Sequence, residues 1–335
     1  MKLEELNKQI KSGALKSLYF FYGEEQYLLK NKINAIEKKL ITPGTEDFNR
    51  FYFEGKKLDI EAIIETAEQF PQMSERKVVV VKNSGFLNNA NSREYKRICE
   101  YSNDLPEYTC LIFVEESFDK KKEKNLKLFE ENGGVVDFAF MPVNKVEVWI
   151  EDSFKKADKQ IAPKEVSYMV RLCGQSLGKL QLEIQKLLNY VGDRYRITRE
   201  DIDNIVDQTV EYRVYDMLDN MIAGRSAKAR EQLKYLKDTK EQPTVVLGIM
   251  VGKLSELLMC KLLKESGMQA GEIAEYFDFK RPMFVVNKTI EESKRYGEPY
   301  LKRMIKKGLE YDASIKNGQM EGWTAAELYL SELIK

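Results

Sequence analysis

There is no histidine among the 335 residues. That one absence removes Ser-His-Asp and Cys-His nucleophile pairs, histidine general bases and histidine metal ligands together. Cysteine is scarce. The four, at positions 99, 110, 173 and 260, form no CxxC and no short spacing, which reads as reduced, small core residues rather than a metal cluster or a disulfide framework. No apolar run approaches the roughly 18–20 residues that span a bilayer. Met1-Lys2-Leu3-Glu4-Glu5-Leu6 carries acids where a secretory leader needs an apolar stretch, so a soluble, cytoplasmic protein is expected. Charge of one sign is missing too: Lys plus Arg, 54, equals Asp plus Glu, 54. No global field draws the chain to nucleic acid or to an acidic membrane. Internal repeats and low-complexity segments are also absent from the sequence.

What is present is a change of pattern along the chain. The length suggests two or three domains. Up to about residue 140, β-rich runs alternate with helical stretches. Leu18-Tyr19-Phe20-Phe21-Tyr22 stops at Gly23, and Tyr27 to Leu40 then has apolar residues at helical spacing. Phe51-Tyr52-Phe53, Lys77-Val78-Val79-Val80-Val81, Thr109 to Val114 and, more weakly, Gly134 to Phe138 repeat the strand signature, with a helix at Ile60 to Ala67. Strands alternating with helices imply βαβ units and a mainly parallel sheet.

After Met141-Pro142 the strand signal disappears. Val146, Trp149, Ile150 and Phe154 share a helical face, and Thr198 with Asp201 forms a capping box. From about Glu211, amphipathic helices follow one another at roughly 211–223, 226–238, 243–265, 270–277, 283–296, 298–316 and 320–334. The expected fold class is α/β plus all-α: an α/β domain over 1–141, a small helical domain over 142–210 and a helical domain over 211–335. Trp149, Trp323 and Cys110 are expected in the core.

A strand running into glycine and a helix is where such a domain would hold a phosphate. The P-loop needs G-x-x-x-x-G-K-[ST]. Gly23-Glu24-Glu25-Gln26-Tyr27-Leu28-Leu29-Lys30 lacks the later glycine, the adjacent lysine and the hydroxyl, and sets two carboxylates where triphosphate would lie. No cofactor and no metal are expected. Glu115-Glu116, after the fourth strand, reads as a solvated acidic turn. Lys120-Lys121-Lys122 with Lys124, and Lys302-Arg303 with Lys306-Lys307, read first as mixed-charge faces. The second group lies on one side of a helix and could touch phosphates locally. Phe70-Pro71-Gln72-Met73-Ser74 breaks the core pattern: proline ends the preceding helix and extends the backbone. Two readings stay open there, a helix-capping contact folded onto the sheet or an exposed apolar plug for a partner's pocket.

Together these pieces resemble one family, the delta subunit of the bacterial DNA polymerase III clamp loader. The likeness runs from Leu18 to Leu28 through Ser74-Glu75-Arg76-Lys77. It continues in Glu183-Ile184-Gln185-Lys186-Leu187 and ends at Asp312-Ala313-Ser314-Ile315-Lys316-Asn317-Gly318. The resemblance implies an AAA+-like N-terminal domain that binds the β sliding clamp without hydrolysing ATP, then a small helical lid and a C-terminal helical collar. It implies a heteropentamer with the gamma/tau ATPase subunits and delta-prime, with primed DNA passing through the complex. The chain itself would not be an enzyme; nucleotidyl transfer would belong to the holoenzyme. The clamp contact would fall on Pro71, Gln72 and Met73, supported by Phe70, where the family usually has Leu-Phe in place of Gln72-Met73. Lys302, Arg303, Lys306 and Lys316 are the implied DNA contacts. The alternatives are an ATP-dependent enzyme on the same fold, or an adaptor that binds nucleic acid directly.

Overall fold

The computed structural model describes residues 1–277 and 283–334, apart from the side chains of Lys120 and Phe284. Two compact units divide the chain: Met1–Met141 with Ser176–Lys179, and Pro142–Gln175 with the chain from Leu180 onward.

The first unit is built on five strands, β1 (Leu18–Tyr22), β2 (Arg50–Glu54), β3 (Lys77–Lys82), β4 (Thr109–Glu115) and β5 (Gly134–Asp137). They pair in parallel in the order β2-β3-β4-β1-β5. The β-branched and aromatic runs of the sequence are these strands. Side chains alternate between the two faces of a strand. Phe20, Val79, Val81, Leu111 and Phe113 therefore pack under the helices Ile60–Glu68 and Arg93–Tyr101. Tyr19, Phe21, Val78, Val80 and Ile112 pack under the helices Leu3–Ser12 and Gln26–Leu40. A strand covered on both faces has no solvent side, so its middle positions are apolar. Each such residue contributes about 1.5–3 kcal/mol by burial, which makes β1, β3 and β4 the fixed frame. The edge strand β2 alternates half-buried Phe51 and Phe53 with exposed Arg50, Tyr52 and Glu54.

In the second unit the helical segments fall where the apolar spacing puts them, from Val143–Lys156 to Gly322–Leu333. The capping box forms: the Asp201 backbone N–H donates to Thr198 and the Thr198 N–H to the Asp201 carboxylate. Strand structure does not vanish after residue 141, however. Gln160–Ile161 and Arg196–Ile197 make a parallel two-residue ladder, too short to leave a period in the sequence. The helix Pro243–Glu265 is apolar nearly all round and buries Val246, Leu247, Met250, Leu254 and Leu257. It packs with Leu301, Met304, Tyr329 and Leu330. Gly308 makes this approach possible, since a Cβ there would stand 2.3 Å from Val251 Cγ2. Lys253 and Glu292 form a buried ion pair at 2.9 Å. Cys110, Cys173 and Cys260 are buried as expected, but Cys99 is half-buried. Neither tryptophan is fully in the core: Trp149 is half-buried, and Trp323 lies half-buried against the helical core. A wide indole on an apolar stripe reaches the surface before it is covered.

Candidate functional site

Two places invite function: the end of β1, where phosphate would sit, and the segment between the helix Ile60–Glu68 and β3. At the first, Gly23 has φ +135°, and a Cβ there would lie 2.4 Å from the Phe138 carbonyl carbon. The Glu25 N–H donates to the Phe138 carbonyl at 2.9 Å. The glycine thus serves close backbone approach to the end of β5. Glu25 is 1% exposed, and its carboxylate accepts from the Leu177 N–H at 2.9 Å. Burial lifts its pKa above the usual carboxylate range, while the N–H groups of Leu177, Leu28 and Tyr27 pull it back down. The chain fills its own anion cradle with a side chain. At the end of β4, Glu115 is not the solvated turn that the sequence suggests. It is buried, accepts from the Gly85 N–H at 2.8 Å and the Ser84 hydroxyl at 3.2 Å, and burial raises its pKa.

The second place is assembled from the helix end outward. An α-helix leaves its last four carbonyls without intrahelical donors. Here neighbouring side chains supply donors to four successive carbonyls. Lys77 Nζ donates to the carbonyls of Thr66 and Gln69, Thr109 Oγ1 to Ala67 at 2.6 Å and Tyr108 Oη to Glu68 at 2.8 Å. Lys77 is 1% exposed and lies over the rings of Phe51 and Tyr108 at 5.9 Å. Burial pushes its amine down to about 8.

From that capped end the chain emerges as an exposed loop. Phe70 is 78% exposed and Met73 74% exposed, Gln72 is exposed and Pro71 half-buried. The Phe70 ring lies tilted against Tyr108, with centroids 5.0 Å apart, yet most of it faces solvent. Met73 has φ +52°, a left-handed conformation uncommon for residues other than glycine. The buried Asn49 accepts from the Gln72 N–H at 2.8 Å and donates to the Gln72 carbonyl at 2.7 Å. Ser74 Oγ accepts from the Thr42 N–H at 3.1 Å and donates to the Arg76 carbonyl at 3.0 Å. Arg76 in turn donates to the Leu15 carbonyl at 2.8 Å. Beside the loop, Asp47, Phe48, Phe51, Phe70, Gln72 and Lys77 line a cleft of about 460 Å³, and Phe48 is half exposed. The four residues singled out between 70 and 73 are thus brought together on one loop. Phe48, Asn49 and Tyr108 went unnoticed in the sequence, and Lys77 stands out there only as the start of a strand and the end of a stretch of family likeness.

The model of the family described as "DNA polymerase III, delta subunit" matches residues 19–139, and that of its C-terminal domain matches residues 211–333. The chain belongs to the DNA polymerase III delta-subunit family. DNA polymerase III subunit delta of Bacillus subtilis is 24% identical over 98% of this chain and 96% of that protein. A probable delta subunit of Aquifex aeolicus is 21% identical over 78% of this chain and 76% of its own length. The solved structure of a Bacillus subtilis DNA clamp loader delta protein superposes with a TM-score of 0.63 and 24% identity, covering 99% of each chain. The fold is that of clamp-loader delta: an AAA+-like parallel sheet followed by helices.

In this family member the basic positions of the helix Glu298–Lys316 are mostly neutralised on the spot. Lys302 pairs with Glu298 at 2.6 Å, Lys306 with Glu310 at 4.0 Å and Lys316 with Asp312 at 2.6 Å. Lys307 reaches Glu332. The Arg303 guanidinium lies over the Tyr300 ring at 5.6 Å. Of the earlier lysine cluster, Lys120 has its side chain outside the described residues.

Proposed function

We propose that this chain is the non-catalytic clamp-loader subunit that binds the β sliding clamp and favours its open ring during replication. The observation carrying this is the loop at 70–73. Two large apolar side chains stand in solvent, on backbone held by the buried Lys77 and Asn49 and, after the loop, by Ser74. Exposure without order would suit a disordered tail; exposure with order suits insertion into a preformed pocket. Methionine fits an irregular apolar pocket well, so Met73 can take the place of the family's usual phenylalanine, with Phe70 beside it.

The mechanism is mechanical. A protein that holds the open ring more tightly than the closed one shifts that equilibrium by the difference in affinity and by nothing else. In this reading the division of labour is 1–141 for clamp binding, 142–210 as a lid and 211–335 as the collar joining gamma/tau ATPase subunits and delta-prime. With Glu25 in its own cradle, the chain takes no nucleotide; ATP acts through the neighbouring subunits, and the work is done in the cytoplasm on primed DNA. The DNA contacts proposed here are Lys302, Arg303, Lys306 and Lys316, of which Arg303 is the one with no carboxylate partner among the described residues.

The test is binding of purified β clamp to the isolated chain without nucleotide. Phe70→Ala with Met73→Ala should weaken it by at least roughly 2 kcal/mol while folding and assembly with the other subunits persist. Unchanged affinity would remove the assignment.

A further inference from the structure

We infer that Asn49 is a positioning residue for the clamp contact, holding the 70–73 loop in its binding shape before the partner arrives. The inference rests on the clamp reading above and adds what makes the loop competent. Asn49 is fully buried, at the end of the short helix Glu46–Asn49 and immediately before β2. Its amide offers Gln72 what a neighbouring strand would offer: an acceptor for the N–H at 2.8 Å and a donor for the carbonyl at 2.7 Å. The same nitrogen also donates to the Thr45 carbonyl at 2.9 Å. Only one orientation of the amide satisfies all three groups, so the side chain cannot flip without losing them.

Gln72 is the midpoint of the loop. Gln69 is held by Lys77 before it and Ser74 by Thr42 after it. Without the latch, the backbone carrying Phe70 and Met73 would have to be ordered on binding. Ordering a residue lowers affinity by on the order of tenfold. Asn49 touches no partner in this scheme; it acts through Gln72.

The experiment has two readouts. In the free full-length chain, Asn49→Ala should speed hydrogen exchange of the Gln72 amide, with the exchange of β3 and β4 amides unchanged. In the β-clamp binding assay, Asn49→Ala should weaken affinity by about tenfold. In a Phe70→Ala/Met73→Ala background the same change should cost less than about twofold, because the groups it positions are gone. Equal losses in the two backgrounds, or wild-type affinity for Asn49→Ala, overturn the inference. Should Asn49→Ala fail to fold, Asn49→Asp decides instead. Asn49→Asp is near-isosteric and keeps an acceptor for the Gln72 N–H, but it loses the donor to the Gln72 carbonyl, so it should bind severalfold more weakly, and wild-type affinity overturns the inference. Clamp binding untouched by Phe70→Ala/Met73→Ala refutes the clamp reading and this inference with it. Unchanged Gln72 exchange in Asn49→Ala refutes the latch alone.

Discussion

Replacing Lys77 by methionine would keep the side-chain stem in place and delete only its charge and donors. Two effects then oppose each other at neutral pH. The carbonyls of Thr66 and Gln69 lose their partner, at about 1–3 kcal/mol for each buried acceptor left unpaired. Against this, burial has pushed the wild-type amine down to about 8 from 10.5. At pH 7 the native state therefore carries a charge that it solvates less well than water does, and methionine removes that penalty. The opposing effects are of similar size, so stability at pH 7 should change by less than about 2 kcal/mol. Raising the pH separates them. Between about pH 8 and 10 the unfolded chain keeps the Lys77 proton and the folded chain releases it. Wild-type stability then rises by up to about 1.4 kcal/mol per pH unit from this group, a contribution that Lys77→Met lacks. Urea unfolding of both proteins from pH 7 to 10 should show a destabilisation growing by roughly 2 kcal/mol. Groups shared by the two proteins cancel in the difference. Parallel stability profiles would refute the account of Lys77 as a buried, partly discharged helix cap.

Glu25→Gln should be neutral or stabilising at pH 7, because burial disfavours the charge that it removes. Its advantage should shrink as the pH falls toward the ordinary glutamate range, where the raised carboxyl already holds its proton; chemical denaturation at pH 7 and 5 measures this, and a variant much less stable at pH 7 would contradict it. In the assembled complex, Arg303→Glu should weaken salt-dependent DNA binding more than Lys306→Glu, since Glu310 already offsets Lys306. Identical salt slopes for wild type and both variants would mean that this helix face only meets solvent.

The sheet was legible because β1, β3 and β4 are buried on both faces and so had to be apolar through their middles, with polar residues only at the ends of β3 and β4. The C-terminal helices were legible because their apolar stripes repeat with the helical period and stop at glycine or proline. What escaped the sequence depends on partners far away in the chain. Asn49 and Gln72 are 23 positions apart, and nothing about an asparagine before a strand announces a loop that it will hold. Glu115 looked solvated because carboxylates usually are; Ser84 and Gly85 make it an exception. Phe70 and Met73 stood out for the opposite reason: two large apolar side chains beside a proline matched neither a helical nor a strand period. Their departure from pattern was itself the signal.

The buried carboxylate of Glu25, two residues past Gly23, has a consequence for timing. A motor domain changes shape as triphosphate comes and goes, so its geometry tracks cellular energy supply. On the function proposed above, Glu25 acts as a tethered, permanent occupant, and the domain has no empty state to return to. On that reading the 70–73 loop keeps one setting whether fuel is abundant or scarce, and any rhythm in its grip is imposed by the subunits around it.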